Sequence, residues 1–216
     1  MKKKSLFITI EGGEGSGKTT QSLLIKEYLE NKGFKTLLTR EPGGTALAEA
    51  IRKILLEPES NLVPLSELLL YEAARAQHIE EIILPALKAG KAVICDRFTD
   101  ATVAYQGFGR KIDVALINKL NSIASSGLKP ALTIYMDINP ELGLNKAKNL
   151  DKEAYGKNGD RIERESVQFH KDVRKGYLSQ AKKEPKRIKV IKTNADVNKT
   201  WMLIKKEVDK QLIVNN

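Results

Sequence analysis

The chain has 216 residues, a formal net charge of +10 and one cysteine, and 41% of its residues are hydrophobic. This length fits a single globular domain over residues 1–216, and the apolar content excludes a disordered chain. The positive charge attracts polyanions such as nucleotides, nucleic acid or an anionic membrane, but charge alone does not choose among them.

The N-terminal segment carries no targeting signal that we can identify. The segment Met1–Lys4, which contains three lysines, precedes the apolar run Leu6–Ile10, and this run is shorter than the roughly seven residues of a signal-peptide core. No stretch is long enough to span a bilayer. The single Cys95 excludes an intramolecular disulfide, so we expect a buried thiol in a cytoplasmic protein that does not contact membranes.

Short apolar runs alternate with longer amphipathic segments along the chain. The runs predict five strands: Leu6–Ile10, Thr36–Thr39, Ala92–Cys95, Leu132–Met136 and Arg187–Ile191. The amphipathic segments predict helices: Lys18–Asn31, Thr45–Leu56, Leu65–Lys88, Asp113–Ser125, Pro140–Asn149, Glu163–Lys183 and Val197–Val214. Because the runs are apolar on both faces, the pattern indicates a three-layer α/β fold around a buried, five-stranded parallel sheet.

Several residues mark where these elements begin and end. Gly33 is expected to end the first helix in a left-handed conformation, and Pro85 to kink or restart the long third helix. Asp113 and Pro140 are typical helix starts. Residues 149–161 lack apolar periodicity and are rich in Lys, Asp, Gly and Asn, which predicts a mobile surface loop.

The segment between the first predicted strand and the first predicted helix matches GxxxxGK[ST], the phosphate-binding P-loop. Its glycines let successive amide N–H groups point into one cavity at a helix N-terminus. Lys18 is predicted to reach the β- and γ-phosphates of ATP, and the Thr19 hydroxyl to bind Mg²⁺. The residues expected to contact ATP are Gly12, Gly13, Glu14, Gly15, Ser16, Gly17, Lys18, Thr19 and Thr20.

Other P-loop classes fit less well. A GTPase carries an NKxD-type motif, and the nearest candidate, Asn118–Asn121, ends in the wrong side chain. A motor or large ATPase needs a longer chain. A small kinase fits the length. The lysines of Lys182–Lys192 lack interleaved aromatic residues, so we expect a solvated basic face there rather than a nucleic-acid site.

Five motifs follow one another along the chain: EGGEGSGKTT at the P-loop, TREPGG at Thr39–Gly44, CDRF at Cys95–Phe98, AYQG at Ala104–Gly107 and DRIE at Asp160–Glu163. With these motifs in this order, the chain closely resembles the bacterial thymidylate kinase family over nearly its whole length. The resemblance implies a P-loop NTPase fold with a lid at about 149–161. It also implies ATP and Mg²⁺ as cofactors, thymidine monophosphate (dTMP) as phosphate acceptor, and a homodimer.

The resemblance also assigns the residues of the acceptor pocket. Glu14 is expected to accept a hydrogen bond from the sugar 3'-hydroxyl. Of Tyr71 and Arg75, four residues apart on one helical face, one stacks on thymine and the other bonds its carbonyl. Tyr105 crowds the sugar 2' position and Gln106 lies near the base. Further pocket residues by resemblance are Arg40, Pro42 and Thr102, the last of which equally fits a helix surface.

The catalytic groups follow the same resemblance. Asp96 and Arg97 end the third predicted strand, at the edge where parallel sheets bind ligands. Arg97 is expected to hold the acceptor phosphate and Asp96 to order Mg²⁺ or its waters, although the two could instead form a structural ion pair. Because position 16 is serine, Arg161 in the lid is expected to supply the cation at the transferring phosphoryl group. The pre-lid helix of some relatives is arginine-rich, whereas this chain has Lys146 and Lys148, which give point charges without the bidentate fork of arginine. Arg161 is therefore expected to bear more of the load, with Arg164 in reserve.

Two alternatives stay open on sequence alone. A kinase for another nucleoside monophosphate shares the P-loop, and a nucleotide-dependent nucleic-acid binding module would account for the charge. His78 and His170 have no partner at metal-ligand spacing, so surface or packing roles are expected and no zinc site is predicted. Trp201 is expected to pack from the last helix.

Overall fold

A computed structural model describes residues 5–150, 160–193 and 196–215. Five strands form one sheet, all in parallel register, in the order β2-β3-β1-β4-β5. They are β1 Leu6–Gly12, β2 Thr36–Arg40, β3 Ala92–Asp96, β4 Leu132–Asp137 and β5 Ile188–Lys192. The predicted α/β fold with five parallel strands is confirmed, and the central β1 is buried along its whole length.

Helices cover both faces of the sheet. They are α1 Lys18–Asn31, α2 Ala46–Leu56, α3 Pro64–His78, α4 Leu84–Lys88, α5 Thr99–Thr102, α6 Val114–Ala124, α7 Pro140–Leu150, α8 Val167–Lys183 and α9 Val197–Asn215. Two π-helical segments, Ile79–Ile83 and Val103–Gly109, continue α3 and α5. Among the described helices, none is both long and apolar enough to cross a membrane.

The core divides into layers because successive strand side chains point to opposite faces. On one face, Ile8 and Ile10 pack with Ile25 of α1 and Ile204 of α9. On the other face, Phe7 packs with the π-helical segment that contains Ile79. Trp201 packs from α9 as expected, with its ring edge-on to Tyr28 of α1.

Most of the predicted helix boundaries are confirmed. Gly33 has φ +80°, and the Phe34 N–H donates to Leu29 O over 3.0 Å, closing the end of α1. The Asp113 carboxylate caps α6 by accepting from the Ala115 N–H over 3.1 Å. The long third helix changes type just before Pro85, which has no N–H to donate in an α-helical turn.

The predicted start of α8 at Glu163 is wrong. Asp160 accepts from the N–H groups of Ile162 and Glu163, which holds this segment in a turn. The helix begins at Val167 because the Ser166 hydroxyl caps it by accepting from the Phe169 N–H.

A buried carboxyl group ties the carboxyl edge of the sheet together. Glu11 of β1 is 0% exposed, and its two oxygens accept from the Phe98 N–H at 2.7 Å and the Tyr177 hydroxyl at 2.8 Å. Burial, together with the charge of Asp100, raises the pKa of Glu11 from 4.5 to about 8, against the opposing charge of Arg97. The turn after β3 and the helix α8 are therefore both anchored to β1.

The raised pKa of Glu11 predicts a specific pH dependence of stability. Between pH 4.5 and about 8 the unfolded chain loses the Glu11 proton while the folded chain keeps it, so stability falls as pH rises. Glu11→Gln should remove this contribution, which amounts to at most about 1.4 kcal/mol per pH unit. Urea unfolding of the variant and the wild type at pH 5, 6, 7 and 8 measures it.

The exposed Glu27→Gln on α1 is the matched control for this experiment. Glu11→Gln should gain stability over both the wild type and this control as pH rises. Free energies of unfolding that stay parallel for all three proteins over this range would contradict the assignment.

Candidate active site

The P-loop follows β1 and leads directly into α1. Gly15 and Gly17 have φ values of +64° and +88°, which side-chain-bearing residues rarely adopt. The Lys18 ammonium donates to the carbonyl oxygens of Gly12 and Gly13 at 3.1 and 3.0 Å, and so lies across the loop. Thr19 and Thr20, which follow Lys18 in α1, are exposed.

Helix α7 packs unusually close to this loop. A Cβ atom on Gly15 would collide with the carbonyl of Gly143, and one on Gly143 would collide with the carbonyl of Glu14. Such a Cβ on Gly15 would also lie 3.0 Å from the Cβ of Lys146. The exposed Lys146 is therefore positioned beside the P-loop, whereas the side chain of Lys148 lies outside the described part of the structure.

Arg97 links the P-loop to the end of β3. Its guanidinium donates to Gly12 O at 3.1 Å, to the Tyr105 hydroxyl at 3.0 Å and to Glu14 Oε1 at 2.5 Å. The Tyr105 hydroxyl also donates to Glu14 Oε1, at 2.9 Å. The alternative of an Asp96–Arg97 ion pair is wrong, because Arg97 pairs with Glu14 instead.

The pKa values of Glu11 and Glu14, which flank Gly12 and Gly13, are shifted in opposite directions. Burial pushes the pKa of Glu14 upward, but the charges of Arg97 and Lys18 outweigh it and lower the pKa to about 2. Glu14 is therefore ionised at neutral pH, while Glu11 is not fully ionised.

One cavity of about 100 Å³ adjoins Glu14 and Arg97. The expected acceptor-pocket residues that line it are Glu14, Pro42, Tyr71, Arg75, Arg97, Thr102, Tyr105 and Gln106. Thr102 is 2% exposed, so the helix-surface alternative for it is wrong. Lining residues that sequence reasoning missed include Glu41, Arg52, Phe98 and Asp160. Glu41, Phe98 and Asp160 lie within the TREPGG, CDRF and DRIE motifs, which was the available signal.

Arg40 does not join this cavity. Its guanidinium lies on the exposed side of the TREPGG segment and pairs with Glu49 at 3.1 Å.

Arg75 is held in the cavity wall by buried partners. Nε donates to Glu41 at 2.8 Å, and Nη2 donates to Thr102 at 2.9 Å. Nη1 donates to Glu72 at 3.0 Å and to Asn121 at 2.6 Å. Since a guanidinium has five N–H donors, these four bonds leave one hydrogen, on Nη2, for a ligand.

Asp96 and Thr19 fit a magnesium ion by their chemistry. Asp96 Oδ1 is buried and has no hydrogen-bond partner among the described residues. Thr19, the residue after Lys18, is exposed and carries a hydroxyl. Burial lowers the pKa of the Lys18 ammonium, and the negative charge of Asp96 opposes this shift. Magnesium takes oxygen ligands of these two kinds and usually keeps several waters.

The sequence predicted Arg161 in a surface loop, and this prediction is wrong. Arg161 is buried, with Nη2 at 2.7 Å from Glu67 Oε2 and Nε donating to Leu55 O at 2.8 Å. Arg164 pairs with Glu59 on the surface. Lid residues 151–159 lie outside the described part of the chain.

Both histidines are buried, so a surface role is wrong for each. His78 Nδ1 lies 3.2 Å from Glu41 Oε1, and Nε2 lies 2.7 Å from Thr39 Oγ1. Cys95, which is fully buried as expected, comes within 4.8 Å of both His78 and Glu41. The trio has ligand-type atoms, but they already have partners in the protein, and Arg75 brings a positive charge beside Glu41. This geometry supports a hydrogen-bond network.

Comparisons with known proteins show which family the chain belongs to. The sequence profile of a family described as thymidylate kinase matches residues 10–204. A thymidylate kinase from Citrifermentans bemidjiense is 50% identical over 199 residues, which cover 92% of this chain and 88% of its own length. One from Geotalea daltonii is 51% identical over 200 residues, with coverages of 92% and 94%.

A solved structure of a thymidylate kinase has a similar fold. The crystal structure of thymidylate kinase from Ehrlichia chaffeensis aligns with a TM-score of 0.75 and 38% identity. The alignment covers 95% of this chain and 98% of that one. The chain therefore belongs to the thymidylate kinase family.

Proposed function

We propose that this protein transfers the γ-phosphoryl group of ATP to dTMP, giving dTDP and ADP in the synthesis of dTTP. The observation that carries the proposal is the single cavity that connects P-loop residue Glu14 and Arg97 with Tyr71, Arg75 and Gln106. A monophosphate bound there would place its phosphate near Arg97 and the P-loop. Its base would reach the far wall of the cavity, which contains Tyr71, Arg75 and Gln106.

The far wall offers hydrogen-bonding groups that suit thymine. Arg75 has one N–H left to donate, which matches the O4 carbonyl of the base. The Gln106 amide N–H donates to Glu67, with Nε2 2.7 Å from the carboxylate oxygen. The side-chain oxygen of Gln106 is therefore left to accept from the N3–H of the base. The half-buried ring of Tyr71 lines the same cavity and supplies a stacking surface.

The reaction needs positioning and charge neutralisation more than a general base, because the acceptor phosphate is already ionised at neutral pH. Lys18 would exchange its two carbonyl partners for the β- and γ-phosphates. Arg97 has the planar fork that suits two phosphate oxygens of the acceptor. Asp96 and the Thr19 hydroxyl would hold Mg²⁺, which neutralises phosphate charge when bound.

The lid cation is part of the same proposal. Arg161 would act on the transferring phosphoryl group only after leaving Glu67, with which it is paired in this structure. Lys146 already lies beside the P-loop and is the second candidate.

We infer further that the protein acts as a cytoplasmic homodimer. The adjoining helices α2, α3 and α6 expose aliphatic side chains: Leu47, Ile54, Leu65, Leu69, Leu116 and Ile123. Helices that stand side by side with apolar outer faces are typical of an interface between subunits.

A panel of monophosphates tests the substrate assignment. An assay that couples ADP release to a spectroscopic signal should give the highest kcat/KM with dTMP among dTMP, UMP, CMP, AMP and GMP. A higher value for any other monophosphate would overturn the assignment. Salt-sensitive retention on DNA without any phosphoryl transfer would point to the nucleic-acid binding alternative.

Lys18→Ala should lower kcat by about 3 decades or more, as the loss of a cation at the transferring phosphoryl group typically does. Lys26→Ala, on the same helix and paired with Glu30 on the surface, is the control and should keep near-normal turnover. Steady-state kinetics with dTMP and Mg-ATP measures both variants. Wild-type turnover by Lys18→Ala would contradict the mechanism.

Leu69→Glu should convert the dimer to a monomer, because it places a charge in the proposed apolar interface. Leu203→Glu on α9 is matched in exposure, since both leucines are 48% exposed, and it should leave the dimer intact. Sedimentation velocity across a concentration series measures the mass. A wild-type monomer, or two variants that behave alike, would argue against this interface.

A further inference from the structure

Glu67 lies on α3 behind the cavity wall, and none of its surface is exposed. It precedes Tyr71 and Arg75 at intervals of four residues, so the three side chains follow one face of the helix. Its oxygens accept hydrogen bonds from Gln106 Nε2 at 2.7 Å and from Arg110 Nε and Nη2 at 3.1 and 3.0 Å. Arg161 Nη2 adds an ion pair at 2.7 Å.

We propose that Glu67 is a positioning residue that orients the Gln106 amide and thereby makes the pocket select thymine and uracil over cytosine. The inference rests on the proposed function, since it assumes that a pyrimidine monophosphate occupies this cavity. Glu67 itself does not line the cavity and acts only through Gln106.

The orientation of the Gln106 amide follows from the chemistry of its partner. An ionised carboxylate can only accept hydrogen bonds, so the group that faces Glu67 must be the NH₂ of the amide and not its oxygen. Burial raises the pKa of Glu67, but hydrogen bonds from Arg110 and Gln106 and the charges of Arg110 and Arg161 outweigh it. Its pKa lies below the ordinary value. The carboxylate therefore stays ionised at neutral pH.

The opposite end of the amide is available to a ligand. Gln106 lines the cavity, and its side-chain oxygen makes no hydrogen bond with any described residue. A reversed amide would place two oxygens against each other at the 2.7 Å contact with Glu67 and would be strongly disfavoured. The cavity therefore presents an acceptor at Gln106 and a donor at Arg75.

Thymine and cytosine differ at the two atoms that face this pair. Thymine and uracil offer the O4 carbonyl and the N3–H, which match a donor and an acceptor. Cytosine offers an amino group and a bare N3, so it places donor against donor and lone pair against lone pair. Each buried mismatch leaves polar groups without partners, which lowers kcat/KM about tenfold or more. Sites built to bond a substrate N–H reject analogues for this reason.

Other contacts hold Glu67 in place. Arg110 also pairs with Glu165 at 2.5 Å, and its guanidinium lies over the Phe169 ring at 4.7 Å from the centroid. Arg161 is fixed by Leu55 O. The two arginines thus hold the Glu67 carboxylate where it accepts the hydrogen bond from Gln106. A neutral side chain at position 67 would lose these ion pairs.

Glu67→Gln tests the proposal through a ratio of substrates. An amide at position 67 can donate as well as accept, so Gln106 can then present either end to the base. The ratio of kcat/KM for dTMP over dCMP should fall about tenfold or more, one mismatch being relieved. The ratio for dTMP over dUMP should stay unchanged, because uracil has the same O4 and N3–H. A purely structural loss would lower all three in parallel.

Two further variants separate orientation from stability. Glu165→Gln removes a partner of Arg110 but leaves every contact of Glu67, so it should lower the melting temperature without changing the dTMP to dCMP ratio. Gln106→Leu removes the amide and should lower that ratio by itself. Adding Glu67→Gln to Gln106→Leu should then change the ratio no further. If Glu67→Gln fails to fold, Glu67→Asp, which withdraws the carboxylate by one methylene group, should shift the ratio in the same direction.

The outcomes also separate this inference from the proposed function. A wild-type preference for dTMP with an unchanged ratio in folded Glu67→Gln would overturn the role of Glu67 alone. A wild-type protein that prefers a purine monophosphate would overturn the proposed function and, with it, this inference.

Discussion

The contact between Arg97 and the P-loop holds the two halves of the site together. A guanidinium at the end of β3 bonds Gly12 O, the Glu14 carboxylate and the Tyr105 hydroxyl at once. Arg97 has φ +68°, an uncommon conformation for a residue with a side chain, and Glu11 fixes the next peptide by accepting from the Phe98 N–H. The phosphate loop and the acceptor cavity are therefore positioned by one side chain and its backbone.

The site is built from buried charges that compensate one another. Glu14 stays ionised because Arg97 and Lys18 adjoin it, whereas Glu11 resists ionisation because burial and Asp100 act together. Glu14, a charged carboxylate that lines the cavity, thus lies only three positions after Glu11 of β1, which mainly anchors the structure. In a dry interior such pairing is required, since an unpaired charge would be costly.

In the function proposed above, helix α3 recognises the base through one face. Glu67, Tyr71 and Arg75 recur every four residues, so the same helix would supply the stacking ring, a donor and the residue that orients Gln106. Glu67 also pairs with Arg161 at the base of the lid segment. One carboxylate therefore contacts both Gln106 in the cavity wall and Arg161.

The sequence by itself determined the parallel sheet, the P-loop, the helix ends at Gly33 and Asp113, and most of the cavity wall. The sheet, the P-loop and the helix ends depend on local periodicity and on contiguous motifs whose geometry short-range sterics impose, whereas the cavity wall followed from the resemblance to the family. Only the tertiary structure decided that Arg161 is buried against Glu67, that Arg40 turns to Glu49, and that both histidines lie inside. Asn121 and Glu72 beside Arg75 belong to the same class. A charged side chain bonds whichever opposite or polar group packing brings near it, and those partners come from distant parts of the chain that no local pattern relates.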